Sequence, residues 1–347
     1  MLRIGILGCG KIAQVRHIPE YSDNPNCELI GYFNPTRCRA EDMATKYGGK
    51  VYDTAEELLN DSEIDAVSVC AANYAHAQLT IKALKAGKHV LCEKPMAMTL
   101  ADCEEMVKVS KEEGKLLMIG QNQRLTKAHE LARKMIEDGE IGKALTFHTK
   151  FCHSGPETWA IKPGKDTWFF DKSKCAMGVM GDLGIHKTDL IQFLLGQKVV
   201  RTTAKLVTLD KRGADGNLID VNDNAICIYE MSDGVVGTMT ASWTYYAAGD
   251  NSTVIYGTEG ELRIYDGSAH SIVLKKPSQE PKYFDVEEIQ TNGSPTKSGV
   301  IDLWVDCLLK GEDSPISGES VLSAMRVVFA SMESSEKGVA VNIPANR

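Results

Sequence analysis

The chain has 347 residues, of which 43% are hydrophobic and 25% charged, and its 39 basic and 47 acidic side chains give a net charge of −8. This composition is typical of a globular protein with about two domains. The acidic balance disfavours a nucleic-acid-binding protein, which normally carries a basic patch. The N-terminus lacks a secretory leader pattern, and no stretch approaches about 18 uninterrupted apolar residues. We therefore expect a cytoplasmic protein that binds neither nucleic acid nor membrane.

The ten cysteines are spread along the chain without a C-x-x-C pair, which favours buried free thiols. His129-Glu130 resembles the start of a zinc-protease motif, but the second histidine that would complete the metal face is missing. The sequence therefore predicts no metal site.

The first 120 residues alternate short apolar runs with helical stretches, a pattern typical of parallel strands joined by crossover helices. The predicted strands are Arg3–Leu7, Leu29–Phe33, Lys50–Tyr52, Ala66–Cys70, His89–Cys92 and Leu116–Ile119. Thr54 and Thr99 are expected to begin helices, and Gly87 and Gly114 to follow helices. Six strands in this order predict a doubly wound sheet.

After Gly120 the pattern changes, with a predicted amphipathic helix at Lys127–Glu137 and a strand at Ala144–Phe151. Turn residues separate further strand-like runs between about 200 and 290, as in a largely antiparallel sheet. Helices are expected at Val300–Leu309 and Ser320–Ser331, and a short strand at Val339–Ile343. We therefore predict an α/β protein with a Rossmann domain over residues 1–122 and a second α/β domain over 123–347.

A glycine-rich turn directly follows the first strand, with the sequence Gly8-Cys9-Gly10-Lys11-Ile12-Ala13. Gly8 permits the tight turn, Gly10 lets the backbone approach a pyrophosphate, and the amides at Lys11 and Ile12 open a helix that attracts an anion. This G-x-G-x-x-A pattern at a first strand predicts a dinucleotide site.

Asn34 lies about 20 residues after the predicted turn, where an acidic residue would bond to ribose hydroxyls. An asparagine still bonds to a hydroxyl but does not repel a 2′-phosphate, with which Arg37 or Arg39 could pair. We expect NAD as the cofactor, with NADP as the alternative.

Hydride transfer between an alcohol and nicotinamide needs one group to move the hydroxyl proton and another to hold the oxygen. The chain has no Tyr-x-x-x-Lys pair, so another lysine, a histidine or a carboxylate must serve. Lys94, before Pro95, ends the fifth predicted strand, where open parallel sheets bind ligands. In a helix, Asp182, His186 and Asp189 would share a face. A surface lysine, a capping aspartate and an exposed histidine are the structural alternatives.

Four segments resemble, in the same order, motifs of the Gfo/Idh/MocA oxidoreductases: Gly8–Ala13, Asn73-Tyr74-Ala75-His76, Ala86–Pro95 and Asp182–His186. The resemblance covers essentially the whole chain. It implies a Rossmann domain that binds NAD(P), and a substrate-binding α/β domain whose large open sheet usually forms a homo-oligomer, a dimer or tetramer. It also implies oxidation or reduction of a secondary alcohol or carbonyl on a sugar, inositol or sugar derivative.

The resemblance assigns roles residue by residue. Lys94 would contact the reacting oxygen, His186 would be the general acid/base, and Asp182 would bind a substrate hydroxyl. Asn73, His76 and Glu93 would lie on the cofactor side. Gln121 and Arg124, after the last Rossmann strand, would approach the nicotinamide or the substrate, although the arginine could instead form a pairing between domains.

A loop before the Asp-His segment is rich in side chains that suit a sugar pocket, namely His153, Trp159, Lys165, Trp168 and Phe169. Packing of these aromatic rings over the sheet is the alternative. Two other functions remain open: cleavage of a glycoside through transient oxidation by bound NAD, and ligand sensing without chemistry.

Overall fold

A computed structural model of the protein describes residues 1–161, 163–286 and 297–344. They form two compact units, one made of residues 1–122 and 297–322 and the other of the described residues in 123–286 and 323–344. Among the described residues, no helix is long and apolar enough to cross a membrane.

The first unit contains six strands: β1 (Leu2–Leu7), β2 (Cys27–Phe33), β3 (Lys50–Val51), β4 (Ala66–Val69), β5 (His89–Cys92) and β6 (Leu117–Ile119). Its helices before residue 122 are α1 (Ile18–Asp23), α2 (Arg37–Tyr47), α3 (Ala55–Asn60), α4 (His76–Lys85) and α5 (Leu100–Glu112). All six strands are parallel, in the order β3-β2-β1-β4-β5-β6. This confirms the predicted doubly wound sheet, whose order reverses between β1 and β4, the place where such sheets bind ligands.

The helix boundaries of this unit have identifiable chemical causes. Thr54 and Thr99 each accept a hydrogen bond from the backbone amide three residues ahead, at 3.1 Å, and so begin α3 and α5. Gly87 and Gly114 follow α4 and α5 with positive φ, a conformation that favours glycine. β4 is buried along its whole length, as expected for a strand covered on both faces.

The second unit contains the remaining strands: β7 (Ala144–Cys152), β8 (Val199–Val207), β9 (Asn224–Met231), β10 (Val236–Ser242), β11 (Thr253–Gly257), β12 (Glu261–Ile264), β13 (Ile272–Lys275), β14 (Lys282–Phe284) and β15 (Val341–Asn342). The helices after residue 122 are α6 (Lys127–Glu137), α7 (Ile185–Leu195), α8 (Val300–Lys310) and α9 (Gly318–Lys337). α8 belongs to the first unit, and α9 starts in the first unit and continues in the second.

The nine strands of the second unit form one sheet in the order β14-β13-β12-β11-β7-β10-β9-β8-β15. Among the described strands, β7 and β10 are its parallel pair, and the other neighbours are antiparallel. Ser242 of β10 lies opposite Cys152 of β7, so the residues that follow both strands lie at the same sheet edge. This edge carries His153 and Trp243.

The two faces of this sheet differ in how far they are covered. Phe147, Tyr229 and Met239 are fully buried on the face that α7 packs against. Ile226 and Ile228 alternate with buried residues of β9 and are exposed on the other face. Helix α9 joins the sheet through Ser331, Ser334 and Ser335, which bond to β8.

The helix α8 differs from the sequence-based division, which placed every residue after 122 in the second domain. Its buried side chains, Val300, Ile301, Trp304 and Val305, form an apolar stripe, and the helix contacts α1 of the first unit. Ser298, just before α8, donates two hydrogen bonds to the carboxylate of Glu20. Burial of this stripe brings the segment back to the first unit.

Candidate active site

The glycine-rich turn after β1 has the geometry of a dinucleotide site. Gly8 has φ +100°, and a Cβ there would lie 2.6 Å from the backbone nitrogen of Ala71. A Cβ at Gly10 would meet nothing closer than the Cys70 carbonyl oxygen, at 3.5 Å. The fold therefore requires glycine at position 8, whereas the bare backbone at position 10 leaves room for a ligand, as a pyrophosphate site needs.

A π-helical turn over Ala13–His17 follows this loop, between the helix start at Lys11 and α1. Such turns hold one residue more than a regular helical turn and occur often at functional sites. Here the turn buries Ala13 and His17.

Asn34 uses its carboxamide to hold the loop. Its Oδ1 accepts the Cys9 amide at 2.9 Å, and its Nδ2 donates to the Thr36 carbonyl at 2.9 Å. Arg37 is exposed and pairs with Glu41 and Asp53. Arg39 is half-buried, and within the described part of the chain it forms no ion pair. Burial raises the pKa of the Cys9 thiol to about 12, and the positive charge of Arg39 opposes this shift.

His76 joins the loops that follow β4 and β5. Its Nδ1 lies 2.8 Å from the Pro95 carbonyl and its Nε2 lies 3.0 Å from the Ala71 carbonyl. Burial lowers the pKa of His76, against the effect of these two carbonyls. Asn73, also buried, begins the short helical turn before α4. Because both ring nitrogens of His76 face the chain's own backbone, its predicted contact with the cofactor remains a prediction.

Lys94 stands in the loop after β5, and its backbone amide donates to the Glu93 carboxylate at 3.1 Å. The other oxygen of Glu93 lies 3.0 Å from Nε2 of His17. Burial would raise the pKa of Glu93, but the His17 bond and the Lys94 charge hold it below its ordinary value. An ionised carboxylate therefore fixes the backbone at Lys94.

Gln121 follows β6 and is 1% exposed. Within the described residues, neither its carboxamide nitrogen nor its oxygen has a hydrogen-bond partner. A buried amide without a partner costs about 1 to 3 kcal/mol, so this side chain is suited to bond with a ligand.

In the second unit, Asp182 lies in another π-helical turn, Met180–Gly184, and His186 lies in the first turn of α7. Both are buried, at 3% and 7% exposure. Nε1 of Trp243 donates to Asp182 at 3.1 Å, and the His186 ring lies 5.7 Å from that of Phe151. The segment thus presents a fixed carboxylate and a buried imidazole.

Asp189, predicted to share a face with Asp182 and His186, forms an ion pair with Arg124. Nε of Arg124 donates to one carboxylate oxygen at 2.6 Å, and a terminal nitrogen bonds to the other. The Asp189 charge raises the pKa of Arg124 although burial opposes this. Since Arg124 is already paired within the second unit, its predicted contact with substrate remains a prediction.

The aromatic residues of the loop after β7 form one connected cluster. Trp168 stacks on Phe169 at 3.9 Å between ring centroids, and Trp159 meets the same ring edge-on at 5.1 Å. Phe169 in turn lies 6.5 Å from Trp243, the donor to Asp182, while Lys165 is exposed. The cluster therefore extends from the loop to the Asp182 carboxylate.

Two residues that the sequence analysis did not select contribute to these sites, His17 and Trp243, and a third, Lys187, lies next to His186 in the chain. Trp243 could have been found from its position at the end of a strand-like run. Lys187 is fully buried, and its ammonium donates to the Asn251 carbonyl at 3.0 Å. Burial lowers the pKa of Lys187 to about 7. No sequence pattern identified His17 or Lys187.

None of the ten cysteines, all of which lie in the described ranges, forms a disulfide bond, and eight of them are buried. Within the described ranges, no group of three histidine, cysteine or acidic side chains could hold a metal ion.

Comparisons with known proteins agree with this geometry. Residues 2–121 match the family described as "Oxidoreductase family, NAD-binding Rossmann fold" (Gfo/Idh/MocA), and residues 129–263 match its C-terminal domain. The chain is 30% identical to a 1,5-anhydro-D-fructose reductase of Ensifer adhaerens over 266 residues, or 76% of this chain and 75% of the relative. It is 31% identical to a levoglucosan dehydrogenase of Pseudarthrobacter phenanthrenivorans over 225 residues, or 59% of this chain and 56% of the relative.

A solved structure titled levoglucosan dehydrogenase in complex with NADH and levoglucosan matches the fold with a TM-score of 0.85. It covers 99% of this chain and 100% of that chain, at 22% identity. At this identity the likeness concerns the fold. Together with the matches to both family domains, it shows that the chain belongs to the Gfo/Idh/MocA oxidoreductases and has an NAD-binding Rossmann domain.

Proposed function

We propose that the protein is a dehydrogenase or reductase that interconverts a secondary alcohol and a carbonyl on a sugar, inositol or sugar derivative. The observation that carries the proposal is the Asp182–His186 segment, where a buried carboxylate is held by Trp243 and an imidazole follows one turn later. The names of the relatives, a levoglucosan dehydrogenase and a 1,5-anhydro-D-fructose reductase, support the same class.

The chain's own residues fit the nicotinamide dinucleotide. The open backbone at Gly10, with the amides at Lys11 and Ile12, would hold the pyrophosphate. Asn34 lies beside the expected ribose position, and Gln121 offers a buried carboxamide. When bound, the nicotinamide supplies or accepts the hydride equivalent of the reaction.

Each of three residues has one role in the proposed chemistry. His186, as a neutral imidazole, takes the hydroxyl proton when the alcohol is oxidised and returns it in the reverse direction. The Lys94 ammonium stabilises negative charge on the reacting oxygen. The Asp182 carboxylate, which the Trp243 indole holds in place, accepts a hydrogen bond from a substrate hydroxyl.

The aromatic cluster supports a ring-shaped substrate. Phe169 covers one face of Trp168, and Trp168 is itself only half-buried. We infer that the other face of Trp168 packs against the apolar face of a sugar ring.

We further infer a preference for NAD over NADP. Asn34 bonds through its Oδ1 to the Cys9 amide of the glycine-rich turn and offers no charge to a 2′-phosphate, while the positive charge of Arg39 acts on Cys9 in the same turn. This arginine would give residual affinity for NADP.

The outer face of the nine-stranded sheet supports a homo-oligomer. Ile226, Ile228 and Val236 are 56%, 46% and 43% exposed there. We infer that this face packs against a second copy of the chain, and Ile228→Lys should lower the mass measured by sedimentation equilibrium.

The function is tested by incubating the purified protein with NAD or NADH and a panel of polyols, sugars and glycosides, followed by product analysis. Formation of an oxidised or reduced sugar in equal amount to the converted cofactor supports the proposal. Release of an aglycone without net cofactor conversion would replace it with the elimination reaction. Binding of cofactor and sugar without any conversion would indicate a sensor.

A further inference from the structure

His17 is buried in the first unit and bonds through both ring nitrogens. It is 3% exposed, with Nδ1 lying 3.1 Å from the Ser68 hydroxyl and Nε2 lying 3.0 Å from Oε1 of Glu93. The Ser68 hydroxyl lies 2.8 Å from that of Tyr21. These contacts connect the first crossover helix to the ends of β4 and β5.

Glu93 is constrained at both carboxylate oxygens. Oε1 faces His17, and Oε2 accepts the Lys94 amide at 3.1 Å. Gly120 packs closely against the same carboxylate: a Cβ added at Gly120 would lie only 2.9 Å from Oε1 of Glu93. The carboxylate therefore has one orientation, which His17 and the neighbouring backbone determine.

The direction of the His17–Glu93 bond follows from the chemistry of its two partners. The pKa of Glu93 lies below its ordinary value, and an ionised carboxylate only accepts hydrogen bonds. The Nε2 of His17 must therefore carry the proton and donate to Glu93. Nδ1 then meets a serine hydroxyl, which is able to donate to it or to accept from it.

We propose that His17 is a positioning residue for the reaction: it orients Glu93, and Glu93 fixes the backbone that presents Lys94. The inference rests on the proposed function, in which Lys94 contacts the reacting oxygen. Because the ring nitrogens of His17 face Ser68 and Glu93, its effect on Lys94 passes through Glu93.

The π-helical turn over Ala13–His17 gives independent support. Each residue of a regular α-helix advances the side-chain direction by about 100°. The additional residue in this turn therefore changes which side chain faces β4 and β5. Without the additional residue, a different side chain would face Glu93. The π-helical turn is therefore what directs the His17 side chain towards Glu93.

Two substitutions separate the two bonds of His17. In His17→Gln the terminal amide nitrogen takes the place of Nε2 and keeps the donor to Glu93. In His17→Asn the shorter amide reaches only the Ser68 side, so Glu93 loses its donor. Both variants replace the buried imidazole ring with a smaller amide side chain. Each variant therefore serves as the control for the loss of stability in the other.

The variants are compared by kcat, KM, NADH affinity and melting temperature. We expect His17→Asn to lower kcat by about 10- to 100-fold with NADH affinity within about threefold, since a misplacement of about 1 Å at a reacting group costs on the order of 100-fold. His17→Gln should retain kcat within about fivefold. An unchanged kcat in His17→Asn, or equal losses in both variants that follow their melting temperatures, would overturn the proposal.

Crystal structures of both variants with NADH measure the positioning directly. The bond between Glu93 and the Lys94 amide should persist in His17→Gln and be lost in His17→Asn. If the wild-type protein converts no substrate, the proposed function fails, and these structures still decide the role of His17. An unchanged loop in His17→Asn would then contradict it.

Discussion

Alanine substitution at Gly8 should destabilise the protein and substitution at Gly10 should not, whereas both should weaken cofactor binding. At Gly8, φ is +100° and an added Cβ would lie 2.6 to 2.8 Å from backbone atoms of Cys70 and Ala71. The left-handed conformation costs alanine about 1 to 2 kcal/mol, and overpacking against backbone adds about 1 to 3 kcal/mol. Gly8→Ala should therefore lower the free energy of unfolding by about 2 to 5 kcal/mol.

Gly10→Ala is the matched control. The nearest atom to its Cβ is 3.5 Å away, and φ lies outside the left-handed region. Alanine reduces the conformational entropy of the unfolded chain. The free energy of unfolding of Gly10→Ala should therefore be unchanged or higher than that of the wild type by up to about 1 kcal/mol. The methyl group would nevertheless occupy the space assigned to the pyrophosphate and weaken NADH binding at least about tenfold, which is about 1.4 kcal/mol.

Urea unfolding and fluorescence titration with NADH measure the two quantities. Gly8→Ala should lose both stability and affinity, whereas Gly10→Ala should lose affinity alone. If Gly10→Ala binds NADH like the wild type, the dinucleotide is not held at this turn. If Gly8→Ala is as stable as the wild type, the strain assigned to this position is wrong.

The remaining predictions concern three titratable or charged side chains. His186→Asn should lower kcat by about 100- to 10,000-fold with little change in NADH affinity, and equal kcat in steady-state assays would refute its role as acid/base. Arg39→Ala should weaken the binding of NADP at least about tenfold and change the affinity for NAD by less than about threefold, as measured by titration. Equal losses of affinity for both cofactors would contradict the proposed pairing of Arg39 with the 2′-phosphate. The pKa of Lys187 is about 10.5 in the unfolded chain and about 7 in the folded chain. Lys187 therefore lowers the free energy of unfolding most at and below pH 7, and this destabilisation disappears as the pH rises from 7 towards 10.5. Lys187→Met should therefore be more stable than the wild type at pH 7, by a margin that narrows by up to about 1.4 kcal/mol per pH unit towards pH 10 in urea unfolding; a constant margin would show that Lys187 is charged when folded.

Local signals predicted much of the fold. The strand His89–Cys92 and the helix Lys127–Glu137 have the predicted bounds, because continuous apolar runs and amphipathic periodicity are local properties of the chain. The return of α8 to the first unit could not be predicted in the same way. It depends on contacts with α1, which lies almost 280 residues earlier in the chain.

The site was predicted less completely, since its geometry depends on two π-helical turns. Apolar periodicity does not reveal the extra residue of such a turn. The prediction that Asp182, His186 and Asp189 share a face therefore assumes regular helical spacing. In the structure, Asp182 bonds to Trp243 and Asp189 to Arg124. These partners lie on other elements and are set by tertiary packing.

Transfer of hydride from the substrate to the nicotinamide is measured directly with a sugar or polyol deuterated at its carbinol carbons. After incubation with NAD, mass spectrometry of the cofactor should show deuterium in the reduced nicotinamide with the wild-type protein. The label should be strongly reduced with His186→Asn and with Lys94→Ala. Turnover of the sugar without deuterium in the cofactor would contradict the account.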